Sequence, residues 1–292
     1  MQRRSFLAAS AGAAAVGAFA RPSTLFADEP APAESGMKLG LVTYNWGKDW
    51  GLPTVIRNCE ATGFSGVELR STHKHGVEIT LDPAQRRQVA ALFANSPVEL
   101  AGLGSACEYH SPDPAVLKKN IEETKAFLRL CHDVGGGGVK VRPNGIPKEV
   151  PIEKTLEQIG LALRDVAQYG ADLGVEVRLE VHGRDGSADL PNIKTMMDVA
   201  DHPNAVVCWN CNPGELKGEG LKHNFDLVKD KIGTVHIHDL RTEDAYPWEQ
   251  FFGLLKESDF TGWTLLEDGK VPKDIVAAMH ENRPIWERLV AS

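Results

Sequence analysis

Residues 175–182 read Val-Glu-Val-Arg-Leu-Glu-Val-His, and this stretch decides how the chain folds. Apolar and charged residues alternate in it, which is typical of a strand with two different faces, and it ends in Glu180 and His182. A polar loop and a helical pattern follow. The same order of strand, loop and helix recurs toward both ends of the chain, which predicts parallel strands joined by helical crossovers.

The chain divides into eight such units, and this number sets the expected architecture. Strands are expected at Leu39–Tyr44, Gly66–Arg70, Val98–Gly104, Gly138–Arg142, Val175–Val181, Ala205–Trp209, Ile232–His238 and Trp263–Leu266. Helices are expected at Pro53–Thr62, Pro83–Asn95, Pro114–Val134, Ile152–Leu173, Asn192–Ala200, Leu221–Val228, Trp248–Glu257 and Lys273–Val290. Eight units predict an α/β protein with a closed (β/α)8 TIM barrel. An open, doubly wound sheet is the alternative, although neither a GxGxxG motif nor a P-loop follows the first strand.

Composition and net charge exclude several classes of protein. The chain has 292 residues, of which 42% are hydrophobic and 25% charged, so a large folded core is expected and a polytopic membrane protein is not. The formal net charge is -8. An acidic protein lacks the positive field that binds phosphate backbones or anionic lipid, so we expect neither nucleic acid nor an anionic membrane as a partner.

The N-terminal residues have the pattern of an export signal. Arg3-Arg4-Ser5-Phe6-Leu7 begins an Ala-rich apolar run, and small-residue cleavage signals end at Ala20 and Ala27. The paired arginines resemble a twin-arginine (Tat) signal. The resemblance implies export of a folded protein to the periplasm, free of the membrane after cleavage. An uncleaved anchor is the alternative, but the apolar run is shorter than the ~20 residues that span a bilayer.

This interpretation divides the chain into three parts. We expect residues 1–27 to be the signal peptide, 28–36 a disordered linker and 37–292 the barrel domain. The five cysteines are too few and too scattered for a disulfide scaffold. Cys208 and Cys211 have the spacing of a redox or zinc pair, but no second pair accompanies them. We therefore expect ordinary buried or edge cysteines.

Each of the last four strands ends in side chains that can bind a metal. These ends read Arg178-Leu179-Glu180-Val181-His182, Cys208-Trp209-Asn210-Cys211-Asn212, His236-Ile237-His238-Asp239 and Leu265-Leu266-Glu267-Asp268. In a TIM barrel the carboxyl ends of the strands meet at the face that carries the active site. Their carboxylate, imidazole and amide groups are expected to converge there. Two carboxylates, an imidazole and an amide oxygen suit a divalent ion, with Mn²⁺ expected first and Mg²⁺, Co²⁺ or Zn²⁺ as alternatives.

These segments resemble the xylose isomerase-like barrels, a family grouped as sugar phosphate isomerases and epimerases. The resemblance runs from Lys38-Leu39-Gly40 through Gly63–Leu69 to Glu267, essentially all of the predicted barrel. It implies a metal held by Glu, Asp, His and Glu from strands five to eight, with the two glutamates as acid and base. By motif, Glu180 in Leu-Glu-Val-His and Glu267 in Leu-Leu-Glu match the two glutamates. His236 in Val-His-Ile-His-Asp matches the histidine.

The remaining ligand position departs from the family pattern, because Asn210 stands where Asp is usual. A neutral amide can bind a hard cation, but it removes one negative charge from the ligand set, which predicts weaker or differently selective binding. Asn212 or His182 could supply a fourth ligand instead. His238 also stands where the family often has Lys, so a positive charge near the substrate is lost.

Other polar side chains of the same mouth are expected to contact substrate. They are Glu68, Lys140, His182, Asn212, His238 and Arg241. A structural ion pair is the alternative for Lys140.

The resemblance implies an isomerase or epimerase that acts on a sugar, polyol or keto-sugar through an enediolate. Glu180 would remove the C–H proton and Glu267 would return one, either to the same carbon (epimerisation) or to its neighbour (aldose–ketose exchange). Export favours unphosphorylated substrates. The alternatives are a lyase or dehydratase on the same scaffold and a non-catalytic exported carbohydrate-binding barrel, which Asn210 favours. Lys140 and the acidic charge oppose an endonuclease. The sequence leaves the oligomeric state open, a homo-oligomer included.

Overall fold

The structure, a computed structural model, describes residues 36–242 and 246–292. The expected signal peptide, residues 1–27, and residues 28–35 of the expected linker lie outside the described residues. Eight parallel strands form a closed barrel in sequence order, and the eighth strand pairs with the first. The predicted TIM barrel is therefore confirmed.

Strands and helices alternate along the described chain. The strands are β1 (Lys38–Val42), β2 (Gly66–Arg70), β3 (Glu99–Glu108), β4 (Gly138–Arg142), β5 (Glu176–Glu180), β6 (Ala205–Asn210), β7 (Ile232–Ile237) and β8 (Trp263–Leu266). The helices are α1 (Leu52–Thr62), α2 (Pro83–Ala94), α3 (Pro114–Val134), α4 (Ile152–Ala171), α5 (Leu190–Ala200), α6 (Leu221–Asp226), α7 (Trp248–Glu257) and α8 (Ile275–Ala291). A 3-10 turn at Pro213–Leu216 follows β6, and another at Lys229–Lys231 precedes β7.

Most predicted elements match the observed ones closely, and the largest difference is in β3. This strand was expected to end at Gly104, but it continues to Glu108. Its pairing with β4 shifts register between Gly104 and Glu108, so the extra residues continue along the sheet past an irregularity. An irregular pairing of this kind leaves no period-two pattern in the sequence.

Local sequence sets the helix ends. Asp82 caps α2: its side chain accepts hydrogen bonds from the backbone amides of residues 84 and 85, and the Gln85 side-chain oxygen accepts one from the Asp82 backbone amide. Gly135 ends α3 in the left-handed conformation, with a φ of 82°. The Gly135–Gly138 run thus links the end of α3 to the start of β4.

The amino-terminal end of the barrel interior is filled by two large side chains, Arg178 from β5 and Trp263 from β8. Glycines on neighbouring strands make the space: a Cβ on Gly66 would overlap the Trp263 ring, and one on Gly138 would overlap the Arg178 guanidinium. Arg178 donates a hydrogen bond to the carbonyl of Ala101 at 2.8 Å. In the part of the chain that the structure describes, these two side chains therefore pack the amino-terminal end of the barrel interior.

Outward-facing strand residues pack beneath the helices, and their partners along each strand point into the barrel. In β4, Val139 and Val141 lie in the hydrophobic core, while Lys140 between them belongs to the inward-facing set. This alternation brings charged side chains of successive strands to one place. Among the described residues, no helix is both long and apolar enough to cross a bilayer.

Candidate active site

A cleft of about 500 Å³ opens at the carboxyl ends of β5 to β8. Its lining includes Tyr44, His182, Asn210, Asn212, His238 and Glu267. Three side chains predicted to contact substrate, His182, Asn212 and His238, thus surround one opening, together with the predicted ligands Asn210 and Glu267.

Three predicted ligands meet at this floor. One ligand atom from each of Glu180, His236 and Glu267 lies within 4.8 Å of the other two. His236 Nδ1 is 3.2 Å from Glu267 Oε2 and 3.4 Å from Glu180 Oε1. Neighbouring ligands around one ion with bonds of about 2.1 Å are separated by about these distances. The geometry of the three side chains therefore fits a metal centre.

Asn210 completes the group with one atom bonded and one free. Its amide nitrogen donates a hydrogen bond of 3.2 Å to Glu180 Oε1. Its buried Oδ1 has no hydrogen-bond partner among the described residues. A buried carbonyl oxygen without a partner is costly, and a cation beside Glu180 Oε1 would satisfy it once the amide rotates to turn Oδ1 toward that oxygen. The free oxygen is a second observation that fits a metal.

Lys140 lies against the same glutamate. Its ammonium is 2.7 Å from Glu180 Oε2, and both side chains are almost completely buried. Burial opposes the charge of Glu180, but the Lys140 ammonium and His236 outweigh it and hold the pKa of Glu180 below its usual value. Burial also opposes the charge of Lys140, yet the surrounding glutamates, Glu180 first, raise its pKa. Both groups are ionised at neutral pH.

Glu68 lies beneath this group, on β2. It is 0% exposed, and its Oε1 is 3.5 Å from His236 Nε2, which is too long for a good hydrogen bond. Neither carboxylate oxygen has a hydrogen-bond partner among the described residues. Burial opposes its charge, but His236, Lys140 and Arg178 together lower the pKa of Glu68. Glu68 is a buried anion facing the far side of the imidazole.

The residues expected to contact substrate fall into three places. His182, Asn212 and His238 line the cleft, and His238 Nε2 is 3.3 Å from the Asn212 side-chain oxygen. Glu68 and Lys140 lie in the buried group below, where Lys140 forms the ion pair that the sequence left as its alternative role. Arg241 pairs with Asp239 and with Glu281 and lines a separate cavity between the segments that follow β7 and β8 and the helix α8. Arg241 does not line the cleft, so this placement does not support the predicted contact with substrate.

Sequence reasoning missed one side chain of the cleft. Glu215, in the turn after β6, is 1% exposed, and its Oε2 has no hydrogen-bond partner among the described residues. Burial raises the pKa of Glu215 to about 8, although the backbone amides of residues 215 and 212 act in the opposite direction. Its only sequence signal was a carboxylate on a loop that follows a strand, which many surface loops share.

The pattern of a known family matches most of this chain. Residues 56–285 match the family described as "Xylose isomerase-like TIM barrel". The chain belongs to the xylose isomerase-like TIM barrel family. The resemblance noted in the sequence is therefore confirmed at the level of the family.

Individual relatives are more distant. An L-ribulose 3-epimerase of Methylomonas sp. (strain DH-1) is 23% identical over 233 residues, which cover 74% of this chain and 79% of that protein. The apo structure of a 3-keto-D-glucoside 4-epimerase from E. coli superposes with a TM-score of 0.73 at 16% identity, covering 86% of this chain and 99% of that one. The IOLI protein, solved with a binding zinc atom, gives a TM-score of 0.75 at 16% identity, covering 87% and 98%. Similarity at this level shows a shared fold.

Proposed function

We propose that this protein is a metal-dependent isomerase or epimerase of a sugar, polyol or keto-sugar. The observation that carries the proposal is the convergence of Glu180, His236 and Glu267 on one point at the floor of an open cleft. Family membership and relatives that are sugar epimerases support the reaction class.

The proposed metal site uses Glu180 Oε1, His236 Nδ1, Glu267 Oε2 and, after rotation of its amide, Asn210 Oδ1. The zinc atom in the structure of the IOLI protein supports a divalent ion on this fold. When bound, such an ion stabilises the negative charge that develops on a substrate oxygen as an enediolate forms. We propose Mn²⁺ first, with Mg²⁺, Co²⁺ and Zn²⁺ as alternatives.

Glu267 and Glu180 are the two groups that we propose to transfer protons to and from the substrate. Glu267 has a side chain that is 14% exposed and lies on the cleft floor, so a substrate C–H can reach it directly. Glu180 is 2% exposed, and its two oxygens are bonded to Lys140 and Asn210. Glu180 can exchange a proton with substrate only after Asn210 turns away from it. His182, Asn212 and His238 are placed to bind hydroxyl groups and orient the ring.

The proposal predicts that carbon-bound hydrogen of the substrate exchanges with solvent. Purified protein incubated with Mn²⁺ and ketoses, L-ribulose and D-psicose first, should introduce deuterium from D₂O at a carbon next to the carbonyl, as measured by NMR. Glu180→Gln and Glu267→Gln should each lower the exchange rate at least ~100-fold, because each removes a proton-transfer group.

Glu219→Gln is the matched control, since this glutamate is exposed on the loop after β6. It should retain the rate of the unaltered protein. Full exchange in both site variants would remove the two glutamates from the mechanism.

The second candidate function is a carbohydrate-binding barrel without catalysis. The observation that favours it is that Glu180 already has a bonded partner on each oxygen. Equilibrium dialysis against Mn²⁺ separates the candidates. Sugar binding without bound metal and without deuterium exchange would favour the binding protein.

A further inference from the structure

Lys140 is a buried cation among the glutamates of the site, and the proposed function gives it no role. Lys140 points into the barrel from β4 and is 3% exposed. Its ammonium binds Glu180 Oε2, while His236 and Asn210 face the other oxygen of the same carboxylate. The lysine therefore lies directly behind a proposed metal ligand, on the side opposite to the metal position.

We propose that Lys140 is a built-in counter-cation, which keeps the buried carboxylate group stable without metal and weakens the binding of a divalent ion. This inference rests on the proposed metal site. It assigns Lys140 a positioning role through Glu180, in place of the contact with substrate that the sequence suggested.

The charges around Lys140 require such a role. Glu180 binds the ammonium directly, and Glu68 and Glu267, which lie beside His236 in the same group, also raise the pKa of Lys140. Three carboxylates in a buried group repel one another unless positive charge lies close by. Lys140 supplies one such charge. Because the lysine is part of the chain, its charge is present whether or not a metal is bound.

The same charge opposes a metal ion. Two cations that share one carboxylate repel each other, and burial weakens the screening of that repulsion. Asn210 acts in the same direction, because its neutral amide stands where a further carboxylate would attract the ion. The two residues together predict a site that binds its metal loosely and exchanges it easily.

Replacing Lys140 with methionine should therefore have two effects of opposite sign. Without metal, Lys140→Met removes the ammonium that binds Glu180 Oε2 and leaves only His236 to compensate this buried charge, so the protein should unfold at a lower temperature. With metal, the ion is no longer repelled by the Lys140 ammonium, and affinity should rise. A lysine that merely filled space would lower both.

The experiment measures Mn²⁺ affinity and thermal unfolding in parallel. Free Mn²⁺ is titrated by its EPR signal, and melting temperatures are recorded in EDTA and in saturating Mn²⁺. We expect Lys140→Met to lower the Kd for Mn²⁺ at least tenfold, to melt earlier in EDTA and to gain more from Mn²⁺ than the unaltered protein. The double variant Lys140→Met/Glu180→Gln should melt later in EDTA than Lys140→Met alone, since neither charge is then buried.

Lys38→Met is the matched control. Lys38 pairs with Glu99 at 2.9 Å, on half-exposed side chains at the opposite end of the barrel. This variant should keep the Kd for Mn²⁺ of the unaltered protein.

Each outcome decides between the two proposals. An unaltered protein that binds Mn²⁺ together with an equal or weaker affinity in Lys140→Met overturns the counter-cation and leaves the metal site intact. Binding in Lys140→Met alone supports the counter-cation and contradicts a working metal site in the natural protein. Absence of binding in both overturns both. If Lys140→Met folds only when Mn²⁺ is present, chelator competition on the loaded protein gives the Kd, and a lower value again supports the proposal.

Discussion

At the scale of single residues, Glu215 is a buried acid whose protonation should be visible in stability. Its pKa lies near 8 in the folded protein because burial disfavours the carboxylate, whereas an unfolded glutamate ionises near 4.5. Between these values the unfolded chain loses a proton that the folded chain keeps. The contribution of Glu215 to stability is therefore present below pH 4.5 and falls as the pH rises toward 8.

We predict that Glu215→Gln removes this pH-dependent loss. Relative to the unaltered protein, the variant should gain stability progressively from pH 5 to pH 8, by roughly 2–4 kcal/mol in the unfolding free energy, and the gain should level off above pH 8. Urea unfolding at several pH values measures it. The surface variant Glu60→Gln serves as control, and a gain in Glu215→Gln that is flat across this range would contradict the assigned environment.

The sequence predicted which residues occupy the site better than it predicted how they touch. Strand ends and family motif placed Glu180, His236 and Glu267 together, and the structure brings them together. The contact between Lys140 and Glu180 depends on the register of β4 against β5, which no single-strand pattern contains. The direction of the Asn210 amide depends on which neighbour donates and which accepts, so it too required coordinates.

At the scale of secondary-structure elements, Gly102 inside the barrel and Gly253 on α7 should respond oppositely to substitution. A Cβ on Gly102 of β3 would lie 2.5 Å from the backbone oxygen of Gly138 and 2.8 Å from an Arg178 nitrogen. Backbone cannot move aside without opening the pairing of β3 with β4. Gly253 of α7 has open space at the same position.

We predict that Gly102→Ala lowers the unfolding free energy by about 1–3 kcal/mol because of overpacking. Gly253→Ala should raise it by about 0.5–1 kcal/mol, since alanine favours a helix interior. Chemical denaturation of the two variants beside the unaltered protein tests the pair. Equal effects in both would mean that the space inside the barrel is wider than the structure shows.

Element boundaries were predictable where the sequence carries explicit signals. Asp82 and Asp113, each followed by proline, start α2 and α3, and glycines end α1 and α3. The carboxyl end of β3 carried no such signal. Its last residues follow a register shift, so the strand extends by pairing with β4 and not by its own alternation.

At the scale of the whole molecule, the eight repeated units specify the barrel. The reactivity of the cysteines reports how tightly its core is packed. All five are unpaired and buried. Burial raises the pKa of Cys59 and of Cys131 to about 12, so neither carries a reactive thiolate at neutral pH. The Cys208–Cys211 spacing does not form a disulfide.

We predict that the native protein reacts with none of its thiols in a DTNB assay and with all five after denaturation in guanidinium chloride. The melting temperature should also be the same with and without a reducing agent. Rapid modification of even one thiol in the native state would show that the barrel opens more readily than its packing indicates.

Export through the N-terminal signal stays a prediction, because those residues lie outside the described part of the chain. We propose that Arg3→Lys/Arg4→Lys blocks transport, since the paired arginines define the expected Tat signal. Fractionation of cells that express the full chain measures it. An unchanged periplasmic yield would contradict the proposed route.

Among the described residues, Trp263 and Arg178 fill the amino-terminal end of the barrel interior, and the cleft at the carboxyl ends of β5 to β8 is the access route that we expect for a ligand. If the proposed function holds, substrate and product would pass through this one cleft, so bound product would delay the binding of the next substrate molecule. Water molecules that exchange protons with the buried side chains would use the same cleft. A ligand that fills the cleft would therefore block substrate binding and proton exchange with solvent together.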